Sequence, residues 1–467
     1  MQKIVSKYAV AAHLALLTVS PLFLFPFCSS SVIGMVILNL TCLAALWVLM
    51  EPSRRRHEML HDARYRLVDD TLKDPLFWVL VLASLLACAR WLNGGIAMAY
   101  DAENRVWFVR EAFASWFPGS MKDCGKMEFA AVPAVCVIVM GVRHALGKSA
   151  RVSFLFMCSL LGALAAIAAA MAVKCGAVNA LSATKIDYIK PSFAGSIFAV
   201  LSMCGVVSLS GAANLEWRRL GILFSLGIGA TAAGAFFFSP PAALVAQVAA
   251  FSIVFIFSLV WTSLNTHGAA IAKVLVFTAI AAVFAVAIVA FLAPDELVAA
   301  RLDAIQSFDL FPKNFVPRRD MLNSIAQRTW LAHPWLGSGI STFPLDVRFD
   351  GTEGLWSIVS SRQTSAIGAW WTILAERGII GALMLALPLA FLLVYIAMRL
   401  GGIISHKSFL PGFALGLIVL ALAICESFID CSFLRPDALM LVAALLAVAA
   451  SSLAKERKDP VQPGKGD

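Results

Sequence analysis

The sequence predicts an all-α polytopic integral membrane protein of about 12 transmembrane helices, with a large helical extracytoplasmic loop between helices 9 and 10. Three observations carry that prediction. Of 467 residues, 60% are hydrophobic and only 14% charged, where a soluble domain carries about 25% charge. Apolar runs recur at close to the roughly 20 residues that a helix needs to cross a bilayer. Basic residues gather in short clusters on alternate loops between those runs.

The runs lie near 8–27, 31–50, 75–94, 128–147, 152–174, 192–214, 219–238, 241–264, 273–293, 378–399, 409–429 and 436–454. In lipid each must satisfy its own backbone hydrogen bonds, which makes it a helix. Lys3 and Lys7 precede the first run, and Arg54, Arg55, Arg56, Arg64 and Arg66 follow the second. Later alternate loops carry Arg143, Lys148 and Arg151, then Arg218 and Arg219, then Lys273, then Arg399 and Lys407, and the tail holds Lys455, Arg457 and Lys458. Twelve spans put all of these on one face, which the positive-inside rule makes the cytoplasm, with both termini inside. The N-terminal MQKIVSK and the run after it resemble a signal peptide, but no small-residue cleavage site follows, so it is read as an uncleaved first helix. The chain divides into a membrane domain over 1–293, the loop over 294–369, a second membrane segment over 370–454 and a tail over 455–467.

The same clusters account for the net charge of +9, and no nucleic-acid-binding motif accompanies them. Ten cysteines are scattered with no CxxC and no His/Cys group at ligand spacing, so they read as packing residues, with no metal and no cofactor expected. Cys124 and Cys175 fall on the same outer face, where they could pair. Arg90, Glu426 and Asp430 lie near span ends rather than at mid-membrane, which counts against an ion-coupled transporter.

Two loops face outward. The first, about 95–127, carries Trp107, Phe108, Phe113, Trp116 and Phe117, the pattern of an interfacial helix anchored by an aromatic belt. The second, about 294–369, is long for a structureless connection and is therefore expected to be ordered and functional. Its arginines (Arg301, Arg318, Arg319, Arg328, Arg348 and Arg362) are interleaved with acidic residues, so an anion site there must come from particular side chains. RRDMLNSIAQRTWLAHP has the spacing of an amphipathic helix, with Met321, Leu322, Ile325 and Trp330 along it, Arg318 and Arg319 at its start, and Pro334 beyond its end. Arginine at a helix start opposes the dipole. It gains if guanidinium and free N–H groups grip one phosphate together; solvated or headgroup-facing arginines are the plainer alternative.

The segment PRRDMLNSIAQRTWLAHPWLGSGISTF resembles the signature of the O-antigen ligase and O-antigen polymerase family: an arginine, an amphipathic helix, then Pro334 and a Gly-x-Gly turn at Gly337 and Gly339. SAIGAWWTILAERGIIGALML is similar to that family's re-entry into the membrane, with Ala375, Glu376, Arg377, Gly378 and Gly381 in place, and KPSFAGSIFAVLSM resembles a further segment. The resemblance implies a GT-C-like membrane glycosyltransferase of the bacterial inner membrane, acting without a metal. Its partners would be a polyprenyl-diphosphate-linked glycan donor and a lipid or glycan acceptor. Arg319 takes the place of the family's loop arginine and His333 is the available base, with Arg318, Arg348 and Arg362 as substrate-binding candidates. Two positions depart from the pattern. A His-Asn pair of the family is replaced by Ile367 and Gly368, and a Ser-Arg at the start of the eighth span by Ser239 and Pro240. These departures leave open a catalytically degenerate accessory or glycan-binding protein of envelope assembly. A transporter of lipid-linked oligosaccharide is the further alternative.

Overall fold

The computed structural model describes residues 10–20, 69–101, 106–110, 120–121, 124–175, 191–212, 218–265, 268–308, 310–311, 315–339, 342–343, 368–399, 410–428 and 436–452. In chain order the helices are α1 (Val10–Ser20), α2 (Pro75–Leu92), α3 (Cys124–Met140, continued by a π turn over Gly141–Ala145), α4 (Lys148–Lys174), α5 (Pro191–Ala212) and α6 (Arg218–Phe238). Then come α7 (Pro241–Asn265), α8 (Gly268–Leu292), α9 (Asp295–Gln306), α10 (Phe315–Ala332), α11 (Ala369–Arg399), α12 (Leu410–Ser427) and α13 (Pro436–Ser452).

Seven of these, α4 to α8, α11 and α12, are long and apolar enough to cross a membrane, and α1, α2, α3 and α13 contain shorter apolar stretches. The chain is thus an α-helical, multi-pass membrane protein. Burial sorts the helices. α5 is almost wholly enclosed, packed against α4, α6 and α7, whereas α8 is apolar all round yet mostly uncovered, with Val283, Val286 and Phe291 exposed. A helix that is apolar on every side and unburied belongs against lipid. Small residues let the inner helices close up: a Cβ at Gly416 of α12 would lie 2.5 Å from Ala449 of α13.

Several expectations change. The first loop expected to face outward is not a helix where it is described: β1 (Gly94–Asp101), β2 (Val106–Arg110) and β3 (Ser120–Met121) form a sheet in the order β2-β1-β3. Trp107 and Phe108 lie on β2, opposite Tyr100 and Ala99 of the antiparallel β1. VWFVR is dense in β-branched and aromatic residues, which favour a strand over a helix. Phe113, Trp116 and Phe117 lie outside the described residues. The amphipathic helix forms, but from Phe315, because Pro317 falls in its first turn where a missing N–H costs nothing. Leu322, Ile325 and Ala326 make its buried face. The re-entry helix begins at Ala369, and position 378 is a break inside it rather than its start. Cys175 is a free thiol, so no disulfide joins it to Cys124. The second run (31–50), the arginines of 54–66, Arg348, Ile367, Arg362 and the tail lie outside the described residues.

Candidate functional site

At the bundle end that carries the large loop, α11 is interrupted at Gly378, whose backbone stands at φ 62°. A broken helix strands N–H and C=O groups, and in a membrane bundle those must be satisfied by protein. The turn after α10 does this. Ser338 N donates to Ala375 O (2.8 Å) and Gly339 N to Glu376 O (3.1 Å), while beyond the break Ile379 N donates to Pro334 O (2.9 Å) and Ile380 N to Trp335 O (3.0 Å). Arg90, reaching in from the end of α2, donates from Nη2 to Arg377 O (3.3 Å).

The glycines of the two segments are forced by this interlock. A Cβ on Gly337 (φ 74°) would come within 2.4 Å of the backbone of Glu376 and Arg377, and one on Gly378 within 2.4 Å of the Trp335 carbonyl. Gly339 stands at φ 123°. Positive φ and backbone-to-backbone contact together leave no room for a side chain. Pro334, Gly337, Gly339 and Gly378 therefore build one joint between two segments that are 37 residues apart at Ser338 and Ala375.

Above the joint, α10 runs alongside the first part of α11. Asn323 Oδ1 accepts from Gly368 N (3.3 Å), and Trp330 packs on Trp371 with ring centroids 6.3 Å apart. Arg319 sits one turn before Asn323, partly exposed, with Nε and Nη2 on Asp320 Oδ1 (3.1 and 3.0 Å). His333 lies at the opposite end of α10, about 20 Å along the axis at 1.5 Å per residue. The structure does not bring Arg319 and His333 together. The exposed His333 serves the joint through its backbone instead, its N–H donating to Thr329 O and Trp330 O and its carbonyl accepting from Gly337 N. Gly368, part of one of the two departures from the family pattern, is held by Asn323, one turn further along α10 than Arg319. Arg318 is in the same helix, and its side chain is outside the described residues.

A second polar group at this end escapes sequence reasoning. Arg301 of α9 is 4% exposed and donates through Nη1 to Ser239 O and through Nη2 to Phe237 O (2.9 Å). It thereby caps the carbonyl end of α6, where a cation also complements the helix dipole. Burial draws its guanidinium pKa down to about 10. From there the bonds continue inward: Ser239 Oγ to Gln247 Oε1 (2.8 Å), Gln247 Nε2 to Ser196 Oγ (3.2 Å) and to Glu426 Oε1 (3.1 Å), and Ser196 Oγ to Glu426 Oε2. Four helices and the α6–α7 junction contribute one residue each. Pro240 carries no cation at the start of α7, and the guanidinium beside that start comes from α9. The signals available in sequence were Gln247, a polar residue within an apolar run, and Glu426 near a span end.

No family model matches the chain and no curated protein matches its sequence. Fold and site define the class on their own terms: a multi-pass α-helical membrane protein with a broken helix at one end. Beside that break the buried Arg90 donates to the carbonyl of Arg377.

Proposed function

We propose that the chain is a metal-independent glycosyltransferase of the O-antigen ligase and polymerase type, acting outside the bacterial inner membrane. It would move a glycan from an undecaprenyl-diphosphate carrier to a lipid or glycan acceptor. One observation supports this most. The two halves of the resembling sequence, Pro334–Gly339 and Ala375–Gly381, meet as a single joint, and the helix that carries Arg319 is bound to the start of α11 by Asn323 on Gly368. Residues that match a family motif are thereby tied to a physical need for those residue types.

In such a transfer an acceptor oxygen attacks the anomeric carbon and the bond to the diphosphate oxygen breaks. The departing group carries away the bonding electrons and gains negative charge. A guanidinium stabilises that charge without a metal, and the acceptor's proton passes to a base. Arg319 is available for this role. Its Asp320 partner is itself 61% exposed, and an exposed ion pair is worth only ~0–1 kcal/mol, so exchange for a diphosphate is inexpensive.

A second reading is favoured by Ile367 and Gly368, neither of which can accept a proton where the family carries a His-Asn pair: a glycan-binding accessory protein of the same assembly. Deletion of the gene followed by gel profiling of surface glycans separates the two. The enzyme reading expects lost chain length or attachment, restored by the wild-type chain and not by Arg319→Ala. Unchanged glycans on deletion exclude it, and restoration by Arg319→Ala points to the accessory role. A reporter fused at position 318 must also report an extracytoplasmic location.

A further inference from the structure

Two helices at the loop end show how deep the joint lies. α8 and its exit are uncharged over 274–294, between Lys273 and Asp295, and α11 is uncharged over 378–398, between Arg377 and Arg399. Each run is 21 residues, about 30 Å of helix, which is the thickness of a bilayer's hydrocarbon core. Charges at both ends of such a run fix where the helix leaves the lipid. On α8 the outer limit falls beside the exposed Phe291, with Lys174 Nζ 4.4 Å from the centre of its ring. On α11 it falls at Gly378, the break itself.

The end of α10 reaches that same level. α10 and the first part of α11 descend side by side: Asn323 holds Gly368, Trp330 packs on Trp371, and the carbonyls of Pro334 and Trp335 accept from Ile379 and Ile380. Beyond Trp335 the chain turns back, with Ser338 and Gly339 bonded to Ala375 and Glu376. Trp335 is thus the tip of a hairpin, level with the first turn of the uncharged run. It is 65% exposed, and Leu331, one turn before it, is 62% exposed. About one turn further down α11 an exposed apolar surface begins at Leu383 and continues through Leu387, Val394 and Met398.

We propose that Leu331 and Trp335 insert at the headgroup–acyl boundary of the leaflet on the large-loop side, so that the joint is a hairpin dipping into the membrane and seats the end of α10 on lipid. The occupant of this face is the bilayer, because at this depth the tip meets the same lipid as the membrane-crossing part of α11. Tryptophan suits the boundary, where its ring sits among acyl chains and its N–H meets headgroups. Leucine adds apolar area on the same helix end. The exposed His333 between them belongs to the headgroup layer. This contact is independent of Arg319 and of glycan transfer.

The test is spin labelling of the full-length chain in liposomes of phosphatidylcholine and phosphatidylglycerol. Its ten cysteines are changed to alanine, and one nitroxide is placed at 335, 331, 383 or 320. Oxygen concentrates among acyl chains and a nickel chelate in water, so the ratio of the two accessibilities reads depth. The ratio at 335 and 331 should lie severalfold above that at 320 and approach that at 383. A ratio at 335 equal to that at 320 overturns the proposal. So does a label at 335 shielded from both reagents, which would mean that protein, from this chain or a second copy, covers Trp335. A second measurement keeps the native cysteines. Trp335→Phe retains the carbonyl that Ile380 binds, and the emission it lacks relative to wild type should be quenched by dibrominated phosphatidylcholine; if that difference emission is unquenched, the proposal falls. Either failure would leave the Arg319 reading intact, just as glycan transfer restored by Arg319→Ala would sink that reading and leave this contact standing.

Discussion

The two ends of the bundle hold their charges by different means. Away from the large loop, a carboxylate answers two cationic side chains, Asp74, just before α2, taking Arg143 Nε at 3.2 Å and His144 Nε2 at 3.0 Å, while Arg151 Nη1 donates to the Ser451 carbonyl at 2.7 Å. The Arg143 guanidinium also lies 4.3 Å from the centre of the Tyr395 ring. Burial pushes the Asp74 carboxyl up, but the His144 hydrogen bond and the Arg143 charge outweigh it and hold the pKa below the ordinary value. At the loop end, two buried guanidinium groups answer backbone. Arg301 binds the carbonyls that finish α6, and Arg90 binds the carbonyl that α11 leaves at its break. Glu426 is held by the neutral Ser196 and Gln247. An ion pair cancels its own field, whereas a guanidinium on a carbonyl keeps its full charge. Among the described residues, the loop end thus sets guanidinium groups on the carbonyls of an ended helix and a broken one.

Substitutions at each end should separate these modes. The largest effect is expected at the joint. Gly378→Ala drives a methyl into the Trp335 carbonyl at a left-handed backbone position, costing ~3 kcal/mol or more from strain and lost bonds. Measured as yield of monodisperse protein and unfolding temperature in detergent, little folded protein should remain; a wild-type melt would mean that the joint is dispensable. Next comes Arg301→Met, which keeps the length and strips both carbonyls of their donor. A loss of about 2–4 kcal/mol is expected, with Arg301→Lys between the two because one ammonium cannot serve two diverging carbonyls as a fork does.

Asp74→Asn at the opposite end should cost less, about 1–3 kcal/mol, and it carries a pH signature. Asp74 is held below its unfolded value of 3.8. Its contribution is therefore present above that value and lost as pH falls through the lower folded pKa. The wild-type melt should drop over that acid window, and the Asn variant should lack that part of the drop. Identical acid profiles would show that Asp74 does not stabilise this end. The smallest effect is expected for Lys73→Ala, which removes an exposed i,i+4 pair with Asp69 and should change stability by no more than ~0.5 kcal/mol.

Much of the layout was legible because membrane helices obey a short-range rule. Each satisfies its own backbone, so Pro241–Asn265 and Gly268–Leu292 can be found from composition alone. The amphipathic α10 was legible for a similar reason, its apolar residues recurring at helical spacing. The three-stranded sheet was not, since aromatic residues serve an interfacial helix and a strand equally well until a partner strand such as β1 is known. Nor was the buried Arg301, which in sequence is one loop arginine among several.

The amino-acid sequence alone determined that this chain is a multi-pass helical membrane protein and which glycines and arginines to watch, because hydropathy and periodicity are local properties. Only the tertiary structure decided that Gly378 breaks a helix, that Pro334–Gly339 repairs it, that His333 lies far from Arg319, and that Arg90 and Arg377 share a place. Those outcomes depend on which orphaned backbone groups find each other across long stretches of chain. No run of residues records that pairing by itself.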